Sequence, residues 1–366
     1  MFAVDCVNKT APIVEYQTPY EMIRTTNVKG GFIDLDEVRY VTEEVFEKWT
    51  RRSRPAFGDV VLTREAPVGE VGRCTFSDRN IFLGQRLFHY RPDPAKLDWN
   101  YLAYVLQSWE VQGRLRGMGF GATVHHVKVG DAENLMIPCP PLAVQKKIGD
   151  KLAAYDDLIE NNRRRIALLE EAARLLYREW FVHLRFPGHE HVRITDGLPK
   201  GWERPTFGEI AELKYGKALK QESRVEGTSP VYGSSGIVGN HQAALVEGPS
   251  IIVGRKGNVG SVFWSPVDFW PIDTVYFIPK EQADFWLYLA LPSAGFQNTD
   301  AGVPGLNRDF AYSRRMIRPP AHLRRHFNEA VEPMFKQRTT LETYNQKLAQ
   351  ARDLLLPHLM NGEIVV

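Results

Sequence analysis

Between Ile148 and Trp180, apolar residues recur at the alternating four-and-three spacing of a heptad. The row is Ile148, Leu152, Tyr155, Ile159, Ile166, Leu169, Ala173, Leu176 and Trp180, interrupted only by Asn162. A seam this regular predicts a long helix that buries one stripe against another helix, and one polar seam residue can fix the register of such a pair. Pro140 and Pro141 precede the run, where a missing N–H costs little, and Pro187 is placed to stop it. A second row is weaker: Phe327, Val331, Met334, Arg338, Leu341, Asn345, Leu348, Arg352, Leu355 and Leu359. Pro333 is expected to kink that helix. The two rows are natural antiparallel partners, because one chain must return past itself. Two separate amphipathic helices, each lying on its own domain, are the alternative.

The pattern also repeats. VVLTREAPVGEVG (Val60–Gly72) returns 191 residues later as IIVGRKGNVGSVF (Ile251–Phe263), with Arg64 on Arg255 and Gly69 on Gly260. The helical rows repeat at 179, Ile148 falling on Phe327 and Leu169 on Leu348. Residues 1–140 and 201–319 are rich in short β-type runs broken by glycine and proline, while 187–200 is a polar, turn-rich linker. The predicted organisation is therefore a β-rich domain (1–140), a long helix (141–186), the linker (187–200), a second β-rich domain (201–319), and a second helix with its tail (320–366). From Ile148 to Trp180 a helix spans about 50 Å, against about 34 Å for one turn of B-DNA, so a two-headed reader of a split DNA site is geometrically reasonable.

Composition narrows the function classes. A chain of 366 residues is comfortable as two domains, and 43% hydrophobic with 25% charged residues is globular usage. The formal net charge of +2 means that nucleic-acid binding, if any, must come from local patches. Cys6, Cys74 and Cys139 lie far apart, which speaks against a disulfide framework or a zinc cluster. No apolar run is long enough for a spanning helix and MFAVDCVNKT lacks the make-up of a secretion signal, so a cytoplasmic location with no membrane partner is expected.

Enzyme motifs are missing. The proline pairs lie in Cys139-Pro140-Pro141-Leu142 and Arg318-Pro319-Pro320-Ala321, not in the loop of an adenine methyltransferase. Gly117-Met118-Gly119-Phe120-Gly121 is not set between a clear strand and helix, and Gly254–Ser261 lacks Walker spacing. Asp268 and Asp273 lack the Glu-x-Lys of a metal-dependent nuclease. His183, His189 and His191 sit in or beside a cysteine-free linker, so no metal site is expected.

Three stretches carry a resemblance. Pro140–Val182 (PPLAVQKKIGDKLAAYDDLIENNRRRIALLEEAARLLYREWFV), Leu198–Lys220 (LPKGWERPTFGEIAELKYGKALK) and Ala351–Ile364 (ARDLLLPHLMNGEI) resemble the central region, the domain opening and the C-terminal signature of type I restriction-modification specificity subunits. The resemblance spans nearly the whole chain, in order. It implies an α/β (α+β) fold: two target-recognition domains with twisted β-sheets, separated by two long antiparallel coiled-coil helices, in a pseudo-twofold repeat. It also implies a non-catalytic subunit that binds a bipartite site on double-stranded DNA, one half per domain. Such a subunit docks methyltransferase subunits that use S-adenosylmethionine. Restriction subunits, which use ATP and Mg, then join. The chain itself would hold no cofactor. A non-enzymatic coiled-coil scaffold whose domains bind protein is the alternative. One departure stands out: Gly201-Trp202 opens the second domain, and the first has no equivalent. Aligning Asp5–Ala11 with Glu212–Ala218 places Met1 after that opening, so either the start codon is misassigned or the first domain is shortened.

DNA would be met by Lys and Arg at phosphates and by Arg, Asn and similar groups at base edges. Arg64 and Arg255 share one place in the repeat, and Lys256 and Asn258 join the second loop. A hairpin turn with a solvated basic residue fits them equally well. A second paired loop sets Gly121–Lys128, with His125, His126 and Lys128, against 302–308, with Asn307 and Arg308; Arg114 and Arg116 lie upstream. A loop that closes each domain on its helix is the alternative there. Arg163-Arg164-Arg165 reads as a solvated helix face or partner contact, and FWSPVDFW (Phe263–Trp270) as core.

Overall fold

The structure, a computed structural model, describes residues 2–7, 9–117, 126–299 and 305–364. It divides into two compact units, the first made of residues 1–162 and 344–366, the second of residues 163–343. The break does not fall at 187–200 but partway along both long helices. Each unit takes half of each helix, because a chain that returns antiparallel brings its C-terminal stretch back to its first domain.

The first unit holds a four-stranded antiparallel sheet in the order Phe2–Asp5, Leu87–Arg91, Val60–Arg64, Val68–Arg73. The second unit repeats it as Lys214–Tyr215, Val275–Ile278, Ser250–Gly254, Val262–Ser265. Register repeats too. Val60 lies opposite Arg73 and Tyr90, and its counterpart Ile251 opposite Trp264 and Ile278. Both central strands are buried on both faces, so their apolar runs are continuous rather than alternating. Val60 and Leu62 enter the core beneath the helix Trp99–Gln107, while Val61 enters the core on the other face. Ile251 and Val253 divide from Ile252 in the same way. A three-stranded sheet accompanies each: Arg39–Tyr40, Tyr20–Ile23, Asn80–Leu83 in one, Gly236–His241, Ser229–Gly233, Trp270–Pro271 in the other, the last pair parallel in both.

The register corrects one alignment. Asp5 lies opposite Phe88 and Tyr215 opposite Tyr276, which are themselves equivalent, so the counterpart of Asp5 is Tyr215 rather than Glu212. These edge strands share no residue identities, and only the ladder reveals their phase.

The first long helix runs Leu142–Tyr177 and closes in a π-helical turn, Arg178–Val182. It stops before Pro187, at Leu184, whose φ of 60 leaves the helical region. The second runs unbroken from Ala321 to Met360 and carries Pro333 inside it. Within the first unit the pairing is antiparallel: Asn162 Nδ2 donates to Asn345 Oδ1 at 2.9 Å, and Ile148 and Leu152 share a core with Leu355 and Leu359. Within the second, Arg338 meets Glu170 at 3.3 Å, and Phe327 and Val331 pack with Ala173, Leu176 and Trp180. Of the seam residues, Ile148, Leu152, Ile159, Phe327, Val331 and Leu341 are buried; Tyr155, Ile166, Leu169, Leu176, Leu348 and Leu355 are half-buried.

Sheet and helices also meet at an equivalent spot in each unit, by different chemistry. In the first, Arg73 from the sheet and Arg352 from the second long helix converge on Asp156 of the first long helix. Asp156 is fully buried, Tyr104 Oη donates to it at 2.5 Å, and Arg73 reaches Asn100 at 3.0 Å and Asp157 at 3.3 Å. Burial alone would lower the Arg352 pKa, but Asp156 and Asp353 hold it raised. In the second unit the counterparts of Arg73 and Asp156 are Trp264 and Phe335, and Phe285 follows its capping Asp284 as Trp99, 5.8 Å from the Arg73 guanidinium, follows Asp98. Phe285 and Phe335 stack at 4.3 Å, and Trp264 lies 4.6 Å from Phe285. Asp156→Ala should cost about 3–5 kcal/mol in denaturant unfolding, because it removes the buried carboxylate that two guanidiniums share. A loss below about 1 kcal/mol would show that the knot does not hold the unit together.

Candidate nucleic-acid interface

In the second unit the strand Ser250–Gly254 ends in a tight loop, 255–260. A Cβ on Gly254 would lie 2.1 Å from the carbonyl oxygen of Asn258, so the turn requires glycine there. Gly254 N–H donates to Ser261 O at 2.7 Å and Gly260 N–H to Gly254 O at 2.9 Å. Arg255 and Lys256 N–H both donate to Thr274 O. The hairpin turn 233–236 buttresses the loop, since Ser261 Oγ donates to Ser234 O at 2.7 Å. Leu306 N–H donates to Arg255 O at 2.8 Å, which brings the second paired loop against the first.

The same stitch exists in the first unit, where Val127 N–H donates to Arg64 O at 2.9 Å. A short helix follows each stitch: Val129–Glu133 after Lys128, and Arg308–Tyr312 after Asn307. The two loops paired in the sequence are thus brought together in both units. Their side chains differ.

In the second unit, Arg255 donates through Nη1 to Asp273 O at 3.0 Å, and its guanidinium stands 5.0 Å from the ring of Tyr215 and 5.7 Å from that of Tyr276. The Arg308 guanidinium reaches the same Tyr215 ring at 5.2 Å and Tyr312 at 5.9 Å. Tyr215 is 49% exposed and meets Tyr276 edge-on at 5.0 Å. Burial, with Tyr215 beside it, pushes the Tyr276 phenol up to about 12, so it stays protonated and donates to Leu306 O at 3.0 Å. Lys256 and Asn258 are exposed. Asn307 accepts from Asp309 and Phe310 N–H at 2.8 and 3.0 Å, so its side-chain oxygen caps the short helix. Sequence reasoning missed Tyr215. Its signal lay in the quoted run LKYGKALK, but only the edge-strand register aims it at Arg255.

In the first unit Arg64 turns inward. It is 9% exposed, pairs with Asp5 at 2.7 Å and donates to Val127 O at 3.0 Å. The hairpin forms, but the alternative of a solvated basic residue on it is not seen at Arg64: the Asp5 carboxylate draws the guanidinium into the sheet. His126, Lys128 and Arg116 are exposed, and Arg114 is held by Glu110 at 2.5 Å and by Met136 O. His125 lies outside the described residues, as do Met118–Gly121 of the glycine run. Trp264 and Phe269 are buried, in keeping with core use of FWSPVDFW. Arg163, Arg164 and Arg165 are exposed on the first long helix. Among the described residues no cluster of three or more His, Cys, Asp or Glu is arranged to hold a metal, and no helix is long and apolar enough to cross a membrane.

Known proteins share this architecture. A crystal structure of a type I restriction-modification S subunit from Mycoplasma genitalium superposes with a TM-score of 0.57 at 21% identity, covering 96% of this chain and 92% of that one. The MjaIX type I restriction enzyme specificity subunit of Methanocaldococcus jannaschii is 24% identical over 360 residues, 90% of this chain and 82% of the relative. A putative type I specificity subunit of M. genitalium is 32% identical over 173 residues, 45% of this chain and 43% of that protein. The sequence model described as type I restriction modification DNA specificity domain matches twice, at residues 20–171 and 199–303. The chain belongs to that family.

Arg64 and Lys256 separate fold from contact. Arg64→Ala should lower stability by about 3 kcal/mol and leave the salt dependence of DNA affinity unchanged. Lys256→Ala should leave stability within about 0.5 kcal/mol and reduce the salt slope by about one. Unfolding curves and DNA-binding titrations at several salt concentrations check both, and the reverse pattern would exchange the two roles.

Proposed function

We propose that this chain is the non-catalytic DNA-recognition subunit of a type I restriction-modification complex in the cytoplasm. Each unit reads one half of an asymmetric bipartite site on double-stranded DNA. The chain docks methyltransferase subunits, which bring S-adenosylmethionine, and restriction subunits, which bring ATP and Mg. One observation carries the reading: two units repeat the same strand order, register and loop stitch, yet offer different side chains at the same loops. A catalytic pocket would need those side chains to converge on one reacting atom, whereas a frame with variable loops suits recognition of two different sequences. The paired helices carry no loop chemistry and are assigned the role of spacer.

Mapping methylated adenines in a host that carries this chain and a methyltransferase partner should reveal one bipartite motif. Exchange of residues 201–319 for those of a relative should change one half of that motif; a change in both halves would refute the division of labour. One heptad inserted into each long helix should lengthen the unspecified spacer, and an unchanged spacer would remove the helices as its ruler.

A further inference from the structure

We infer that Tyr215 is a positioning residue that holds Arg255 and Arg308 as a pre-ordered pair reading guanine in the half-site of the second unit; this rests on the DNA-reading role proposed above. Two guanidiniums converge on one half-exposed ring, at 5.0 and 5.2 Å. The electron-rich ring face attracts each cation without neutralising it. Among the described residues neither guanidinium has a carboxylate partner, in contrast to Arg64, which is neutralised by Asp5. The positive charge is left for a ligand.

The geometry favours a base edge over a phosphate. A phosphate can be met by a point charge, and exposed Lys256 supplies one without restraint. Arg255 is restrained twice, by the Tyr215 ring and by the Asp273 carbonyl. Restraint matters where a planar fork must meet two acceptors at fixed spacing, and guanine presents O6 and N7 in that way in the major groove. The first unit lacks the device: Asp5 replaces Tyr215, Arg64 points inward, and Val129 replaces Arg308.

The test is selection of methylated sites from a randomised duplex pool by the assembled complex. The half-site assigned to the second unit should contain guanine. Tyr215→Ala and Arg255→Lys, which keeps the charge but loses the fork, should each relax the preference for that guanine by roughly tenfold and leave the other half-site unchanged. Tyr215→Phe, which keeps the ring, should retain it. A half-site without a G·C pair, a uniform loss of affinity with unaltered base preference, or loss of preference in Tyr215→Phe would each overturn the inference. Should Tyr215→Ala fail to fold in thermal unfolding, Arg255→Lys decides. Failure of the wild-type complex to methylate any bipartite site would instead defeat the recognition role itself.

Discussion

Each unit buries a junction where the sheet is fastened to the long helices. The loops sit at sheet ends, so their position relative to the helices within the unit is fixed there. The first unit uses charge, with Arg73 and Arg352 on Asp156; the second uses rings, with Trp264 and Phe285 on Phe335. These solutions are not equivalent. A buried ion cluster gains little net stability after desolvation, but it tolerates few geometries and fails badly when one member is lost. An aromatic cluster gains from area burial and tolerates small displacements. The neighbouring contact also differs between the units, but in the opposite sense. Gly149 lets the first long helix approach so closely that a Cβ would lie 2.7 Å from Asp98 Oδ1. At the equivalent place Asn328 fills the space and bonds Asp284 and the Trp286 N–H. The repeat thus preserves the joint and not its chemistry.

Much of this was legible in the sequence. Heptad spacing located both long helices and the stripe they bury, including the polar seam residues Asn162 and Asn345 that bond one another. The 191-residue repeat located the central strands, and the register confirms that alignment residue by residue. What escaped depends on contacts far apart in the chain. Nothing local to Arg64 says that it points inward, because the carboxylate responsible is Asp5, 59 residues away. Nothing local to Asp156 distinguishes it from a solvated helix carboxylate, since both arginines that bury it come from distant segments. The end of the first long helix escaped for the opposite reason: proline is a strong stop, but the backbone turned at Leu184 before reaching it. The edge strands misaligned by three residues because strands so short carry no pattern of their own.

The loops show how one frame can carry two sets of side chains. The bonds that place them are main-chain bonds: Val127 N–H to Arg64 O in one unit and Leu306 N–H to Arg255 O in the other. Such bonds make no demand on the side chains of the residues that form them, so exposed loop side chains can differ between the units while the frame is kept. The orientation of the loop arginine is then set by the residue facing it across the sheet from the edge strand. An aspartate there captures the guanidinium, and the arginine becomes part of the fold. A tyrosine there offers a ring face, which attracts the cation without neutralising it and leaves it on the surface. Asp5 and Tyr215 occupy this one position. The two halves of this chain thus differ at one edge-strand site, with Asp5 beside a buried Arg64 in one and Tyr215 beside a part-exposed Arg255 in the other.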